Sequence, residues 1–163
     1  MDYCAECDFS YDGASVDVES VVRGGVEEIG AWLRSAGESA RPRRQPGVWS
    51  PLEYGCHVRD VLFAQRERVL MAWRGDLRDW APMGRDERVE HEGYAEQDVE
   101  AVARQLQDAA SLFLNVVGRL SERERAIVIR YPYPEPRPQP LEWVALHTAH
   151  EVRHHLLDVR RQG

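Results

Sequence analysis

Four stretches of this sequence place apolar residues three and four positions apart, and almost nothing in it alternates with a period of two. The first pattern reads as an amphipathic helix and the second as a half-buried strand, so the chain is constrained toward helix-on-helix packing. The first stretch runs from about Val16 to Leu33, with Asp17 as its cap and Val18, Val22, Val26, Ile29 and Leu33 on one stripe. Gly24 and Gly25 interrupt it, each at a cost of about 1 kcal/mol relative to alanine. The second opens on Ser50-Pro51-Leu52-Glu53, which supplies a cap serine, a proline at the first helical position and a glutamate three residues after the cap. It continues to about Trp73 and stops at Gly75. The third spans about Gln97 to Leu120 and the fourth about Leu141 to Arg160. Two long connections separate them. Asp76–Glu96, between the second and third helices, is acidic and irregular. Tyr131–Pro140, between the third and fourth, is too rich in proline for a helix or a central strand. Only Ala126–Tyr131 reads as a strand, or as the end of a short helix. The expectation is an all-α four-helix bundle whose long loops line or cover a site.

At 163 residues, with 43% hydrophobic and 30% charged side chains, the chain can bury one core without disulfide staples. A net charge of −7 argues against nucleic acid or an anionic membrane as the main partner. Arg41, Arg43 and Arg44 could still grip a small anion. No uninterrupted apolar run is long enough to span a bilayer, and the start Met1-Asp2-Tyr3-Cys4 lacks the basic and apolar segments of a signal peptide. Three cysteines imply no closed disulfide framework, so a reducing cytoplasm is expected. All 21 basic residues are arginine, which removes lysine nucleophiles and Schiff bases from consideration.

Chemistry concentrates in the last helix, where His147, His150, His154 and His155 fall within nine residues of a chain holding six histidines. Side chains four apart lie one above the other on a helix and can share an ion. Two such pairs are present, Glu151 with His155 and His150 with His154. Neither pair completes a coordination sphere. His57, on the well-capped second helix, is the natural third ligand across an antiparallel bundle, with Asp60 and Asp158 available to orient imidazoles through their second nitrogens. His91, in the acidic connection, reads as solvated.

Two blocks resemble the DinB-like superfamily of four-helix metalloproteins, which includes the damage-inducible DinB proteins, bacillithiol-transferase-like proteins and the amino-terminal domain of mycothiol-dependent maleylpyruvate isomerase. One is Trp49-Ser-Pro-Leu-Glu53-Tyr-Gly-Cys-His57-Val-Arg-Asp60-Val, the other His147 to Asp158. The resemblance implies a DinB-like four-helix bundle domain over residues 14–163, preceded by a segment, residues 1–13, that carries Cys4-x-x-Cys7. It implies metal ligands at His57, Glu151 and His155, with Asp158 at the polar position that follows, and this Glu-x-x-x-His-x-x-Asp form is similar to the thiol-dependent isomerase branch. Zinc suits two histidines and one carboxylate with an open fourth position, although nickel, manganese and iron bind similar sets.

The implied function is a metal-dependent S-transferase or isomerase that uses a low-molecular-weight thiol such as mycothiol, with a metal-held thiolate attacking a small electrophile. Arg59, Arg153 and the arginines near Pro42 are candidates to hold that thiol's anionic groups. The alternative is a non-catalytic protein that binds a metal or small ligand in stress or sequestration. The resemblance also permits a homodimer. Cys4 and Cys7 either belong to an unattached N-terminus or bring two thiolates to the histidine cluster and close its metal site. Trp32, Trp49, Trp73 and Trp143 read as core, whereas Trp80, Tyr131 and Tyr133 fall in the connections and could line a pocket mouth.

Overall fold

The structure, a computed structural model, describes residues 3–13, 15–76, 78–133 and 135–162. Met1 and Asp2 of the N-terminal start, Ala14 at the expected domain boundary and Pro134 of the proline-rich run lie outside the described residues, as do Leu77 and Gly163.

The chain order is β1 (Tyr3–Cys4), β2 (Phe9–Ser10), α1 (Val18–Ala36), α2 (Pro51–Arg74), α3 (Arg85–His91), α4 (Val99–Val117), α5 (Glu122–Arg125), β3 (Val128–Tyr131), β4 (Arg137–Pro140) and α6 (Leu141–Arg161). The four long helices start and stop where local chemistry dictates. Asp17 accepts from the Ser20 amide at the head of α1, and Asp98 accepts from the Ala101 amide at the head of α4. Ser50 and Glu53 form a reciprocal capping box on α2, and Gly75 closes that helix at φ 84°, a left-handed conformation in which a Cβ would be strained. Among the described residues no helix is long and apolar enough to cross a membrane.

The topology of the bundle decides what the site can be. Helix α1 packs against α4 and α6, and α2 packs against the same two, so the sequence neighbours α1 and α2 stand diagonally opposed. Each helix gives one stripe to the core: Val22, Val26, Ile29 and Leu33 from α1, Leu52, Val58 and Leu62 from α2, Leu106 and Phe113 from α4, Val144, Val152 and Val159 from α6. Gly25 is where α1 meets α6, and a Cβ there would stand 2.4 Å from Val152 Cγ1. The glycine that weakens α1 as an isolated helix is what lets it approach α6. Helix α2 departs from the usual pattern by burying Glu53, His57, Arg59, Asp60 and Gln65 as well as its apolar side chains. Buried polar groups need partners, so this helix carries more than packing.

The two connections are structured rather than irregular. The acidic one contains α3 and a single 3-10 turn at Tyr94–Glu96, and places His91 at the surface as expected. The second forms β4, which pairs antiparallel with β3 just before it, so that Val128 faces Pro140 and Tyr131 faces Arg137, with α5 ahead of both. Pro138 and Pro140 are tolerated because β4 is an edge strand of a two-stranded ribbon. The β1–β2 hairpin, where Cys4 faces Phe9, carried no legible signal because each strand is two residues long. Trp73 corrects the reading of the tryptophans as core: it is 49% exposed, with its indole N–H on Glu124 at 2.6 Å.

Candidate metal centre

The head of α2 is held rigidly. The Ser50 amide donates to Glu53 Oε2 at 2.6 Å, Ser50 Oγ accepts from the Glu53 amide at 3.2 Å, and Arg43 clamps the same carboxylate at 2.7 to 3.0 Å. One turn on, His57 is 2% exposed, its ring 5.0 Å from that of Trp49. Its Nδ1 is buried with no hydrogen-bond partner among the described residues. Burial drives its pKa down to about 3, helped by the charge of His155, so the ring is neutral near pH 7 and keeps the lone pair a metal needs.

Across the bundle, α6 brings Glu151 and His155 to His57. One ligand atom from each of the three lies within 4.8 Å of the other two, and the His57 and His155 rings meet edge to face at 4.9 Å. His155 Nδ1 is bonded to Asp158 Oδ2 at 2.9 Å, which leaves Nε2 directed at Glu151 Oε2, 3.6 Å away. Two ligands at about 2.0–2.1 Å from a tetrahedral ion stand about 3.4 Å apart, so this pair is already near the spacing that sharing an ion requires. Burial lowers the pKa of His155, but the Asp158 and Glu151 carboxylates outweigh it and lift it to about 9. Burial would raise Glu151, yet the surrounding imidazoles hold it well below the usual carboxylate range. The donor set is therefore two imidazoles and an ionised carboxylate, and those residues fit a divalent cation such as zinc.

His57 and Glu151 face a cavity of about 290 Å³, which keeps one side of the centre open. Along α2, His57, Val61, Gln65 and Arg68 line it in succession. Met83, Arg85 and Glu87 from the acidic connection and Tyr131 and Tyr133 from the second one cover it, so the long connections do roof the site. Gln65 Nε2 donates to the Tyr131 hydroxyl at 2.7 Å, and His147 Nδ1 shares a hydrogen bond of 2.9 Å with the Tyr11 hydroxyl. Trp80 is buried and packs edge-on against Tyr131 instead of reaching the mouth. Arg68 and Arg85 are the cavity's cations, and sequence reasoning did not single them out. The signal for Arg68 was present: positions 57, 61, 65 and 68 form one helical stripe.

Asp60 does not orient His57. Its carboxylate accepts from Arg59 Nε at 2.7 Å and from the Tyr94 hydroxyl at 2.5 Å, with Arg88 3.5 Å away. Its partners come from α2 itself and from the acidic connection, so the carboxylate is satisfied there and not by the His57 ring. The arginines proposed for anions are likewise engaged. Arg59 also holds Gln97 and Gln105, Arg41 binds Glu38 and the Ala95 and Gln97 carbonyls, Arg43 binds Glu53, and Arg153 donates to the Cys7 carbonyl. Finally, the two pairs on α6 meet different partners, although His150 also groups with His147 and Glu151. Glu151 and His155 group with His57, whereas His150 and His154 group with Cys4 and Cys7.

Fold and site together define a four-helix protein with a histidine–carboxylate centre, able to hold a divalent cation between α2 and α6. The DinB superfamily matches residues 27–159, and the chain belongs to it. In three dimensions it is similar to YfiT from Bacillus subtilis, described as "a probable metal-dependent hydrolase with an unusual four-helix bundle topology". The TM-score is 0.70 at 16% identity, over 88% of this chain and 85% of that one. No curated protein matches the sequence.

Proposed function

We propose that this DinB-superfamily protein is a metal-dependent enzyme acting on a small molecule in the α2–α6 cavity, with a low-molecular-weight thiol as nucleophile in an S-transfer or isomerisation. The observation that carries this reading is that His57 and Glu151 both supply cation ligands and line the same cavity. A purely structural site is closed on all sides, and this one is not. His57, Glu151 and His155 would hold a divalent cation, whose charge would lower the pKa of a neighbouring thiol and make it nucleophilic near pH 7. The chain's own residues do the rest. Asp158 fixes the tautomer and direction of His155. Arg68, stacked on Trp80 and bonded to the Ala81 carbonyl, and Arg85, over the Trp49 ring, give anionic groups of a thiol or substrate a positive wall in an otherwise acidic protein. Tyr131 and Met83 shut water out from the apolar side.

The test is consumption of thiols by the zinc-, nickel- or manganese-loaded protein with monochlorobimane or chlorodinitrobenzene. The expected result is a rate above those of the metal-free protein and of His57→Ala. Binding without turnover for every thiol tried would leave a ligand-sequestering protein instead.

A specific observation favours a second reading, metal-dependent hydrolysis. His147 lines the cavity with its Nε2 3.7 Å from Glu151, and burial lowers its pKa to about 4, so it is a neutral base beside the centre. The description of YfiT as a hydrolase supports the same chemistry. Release of product from simple esters or amides without any thiol selects this reading, and His147→Gln then lowers the rate.

A further inference from the structure

A second group of candidate ligands adjoins the first on α6, where His150 Nδ1 stands 3.4 Å from Glu151 Oε1. Cys4 and Cys7 sit on the β1–β2 hairpin, and His150 and His154 are one turn apart on the helix. One ligand atom from each of the four falls within 4.8 Å of all the others. Cys4 Sγ is 3.7 Å from His154 Nδ1. A tetrahedral zinc with bonds of about 2.3 Å to sulfur and about 2.0–2.1 Å to nitrogen sets those atoms about 3.6 Å apart. The measured separation is therefore close to that of two bound ligands.

Three further observations point to an ion rather than to chance packing. His150 is 7% exposed, and both its ring nitrogens are buried without a hydrogen-bond partner among the described residues. A buried imidazole normally satisfies at least one nitrogen. Both cysteines pack inward: Cys7 is 8% exposed and Cys4 packs against the core beside it. The turn between the two strands carries Asp8 at φ 55°, the one non-glycine residue with positive φ among those described. Such strain persists where the surroundings enforce it. No disulfide uses the pair, since both cysteines are free.

We propose that Cys4, Cys7, His150 and His154 form a second, structural zinc site, separate from the His57–Glu151–His155 centre. The four protein ligands complete a tetrahedron, so the ion has no open position and does no chemistry. Its role is to fasten the hairpin to α6. That hairpin leads into Tyr11, whose hydroxyl shares a hydrogen bond with His147 at the cavity wall, so the closed site supports the open one beside it. Short strands of two residues cannot hold this position through backbone pairing alone.

The inference does not rest on the catalytic reading, and the two fail separately. Zinc-replete full-length protein, Cys4→Ser/Cys7→Ser and His57→Ala are compared by elemental analysis and, after cobalt substitution, by absorption spectroscopy. The expected outcome is two ions per chain in the wild type and one in each variant. The sulfur-to-cobalt charge-transfer absorption disappears in the cysteine variant and survives in His57→Ala. Should the cysteine variant not fold, the wild-type and His57→Ala cobalt spectra still decide. Lack of a sulfur charge-transfer band in the cobalt-loaded wild type overturns the site. Loss of that band in His57→Ala, with one ion per chain in the wild type, overturns it too, because the thiolates would then belong to a single shared centre.

Discussion

Asp158 accepts a hydrogen bond from His155 Nδ1 at 2.9 Å, three residues along the same helix, and by doing so aims the other imidazole nitrogen at Glu151. A carboxylate in this position fixes the tautomer and raises the basicity of the ligand, and its removal typically costs 10- to 100-fold in metal affinity. Asp158→Ala is expected to weaken zinc binding by roughly that factor. Asp158→Asn, which still accepts through its amide oxygen, should fall in between. Competition against a chromophoric chelator measures both. Equal affinity for wild type and Asp158→Ala would reduce the pair to a surface contact.

The same carboxylate gives the centre a pH dependence. In the metal-free protein His155 has its pKa raised to about 9 from the ordinary 6.5, as Asp158 and Glu151 outweigh burial. A histidine with a raised folded-state pKa stabilises the fold fully below its unfolded value, and that contribution disappears as pH rises through the folded value. The stability gap between wild type and His155→Gln, both stripped of metal, should therefore be widest at about pH 6 and shrink toward about pH 10. A cation must displace that proton, so zinc affinity should rise with pH up to about 9. Near pH 7.5, about one proton should leave per ion bound at this centre, read by calorimetry in buffers of different ionisation enthalpy.

Adjacent glycines in α1 should respond in opposite directions. Nothing lies within 4 Å of a Cβ built on Gly24, whereas one on Gly25 meets Val152 Cγ1 at 2.4 Å. Gly24→Ala should stabilise the protein by roughly 0.5–1 kcal/mol through helix propensity and unfolded-state entropy. Gly25→Ala should destabilise it by roughly 1–3 kcal/mol, because the stiff valine must move or the helices part. Denaturant melts of the two variants separate the cases, and a stabilised Gly25→Ala would contradict the close α1–α6 approach.

Asp60 serves the core and not the metal. Its carboxylate neutralises Arg59, which is only 7% exposed, and accepts the Tyr94 hydroxyl. Asp60→Ala leaves a buried guanidinium without its counter-charge, at a cost of roughly 3–5 kcal/mol. Zinc stoichiometry of the protein that remains folded should be unchanged. A loss of zinc without a loss of stability would return Asp60 to the role of orienting a ligand imidazole.

The four long helices were legible because helices are written locally. The Ser50–Glu53 capping box, Asp17, Gly75 and the three-to-four spacing of Val22, Val26, Ile29 and Leu33 act over one or two turns, and they set boundaries to within a few residues. The richness of α6 in ligands was equally plain, as was the suitability of His57. The β1–β2 hairpin, α5 and β4 were not, although β3 falls within Ala126–Tyr131, which reads as a strand. Strands of two to four residues acquire their identity from a partner distant in sequence, as Cys4 does from Phe9 and Val128 from Pro140.

What the amino-acid order determined by itself was the set of helices and the inventory of ligands: two pairs on α6, one histidine on α2 and two thiols near the start. Only tertiary structure could assign them to partners. Because α2 and α6 are neighbours while α1 lies diagonally across from α2, His57 reaches Glu151 and His155, and the hairpin's cysteines reach His150 and His154. Rotation by 100° per residue sends adjacent side chains of one helix to different neighbours. A choice that looks like competition in one dimension becomes a division of labour in three.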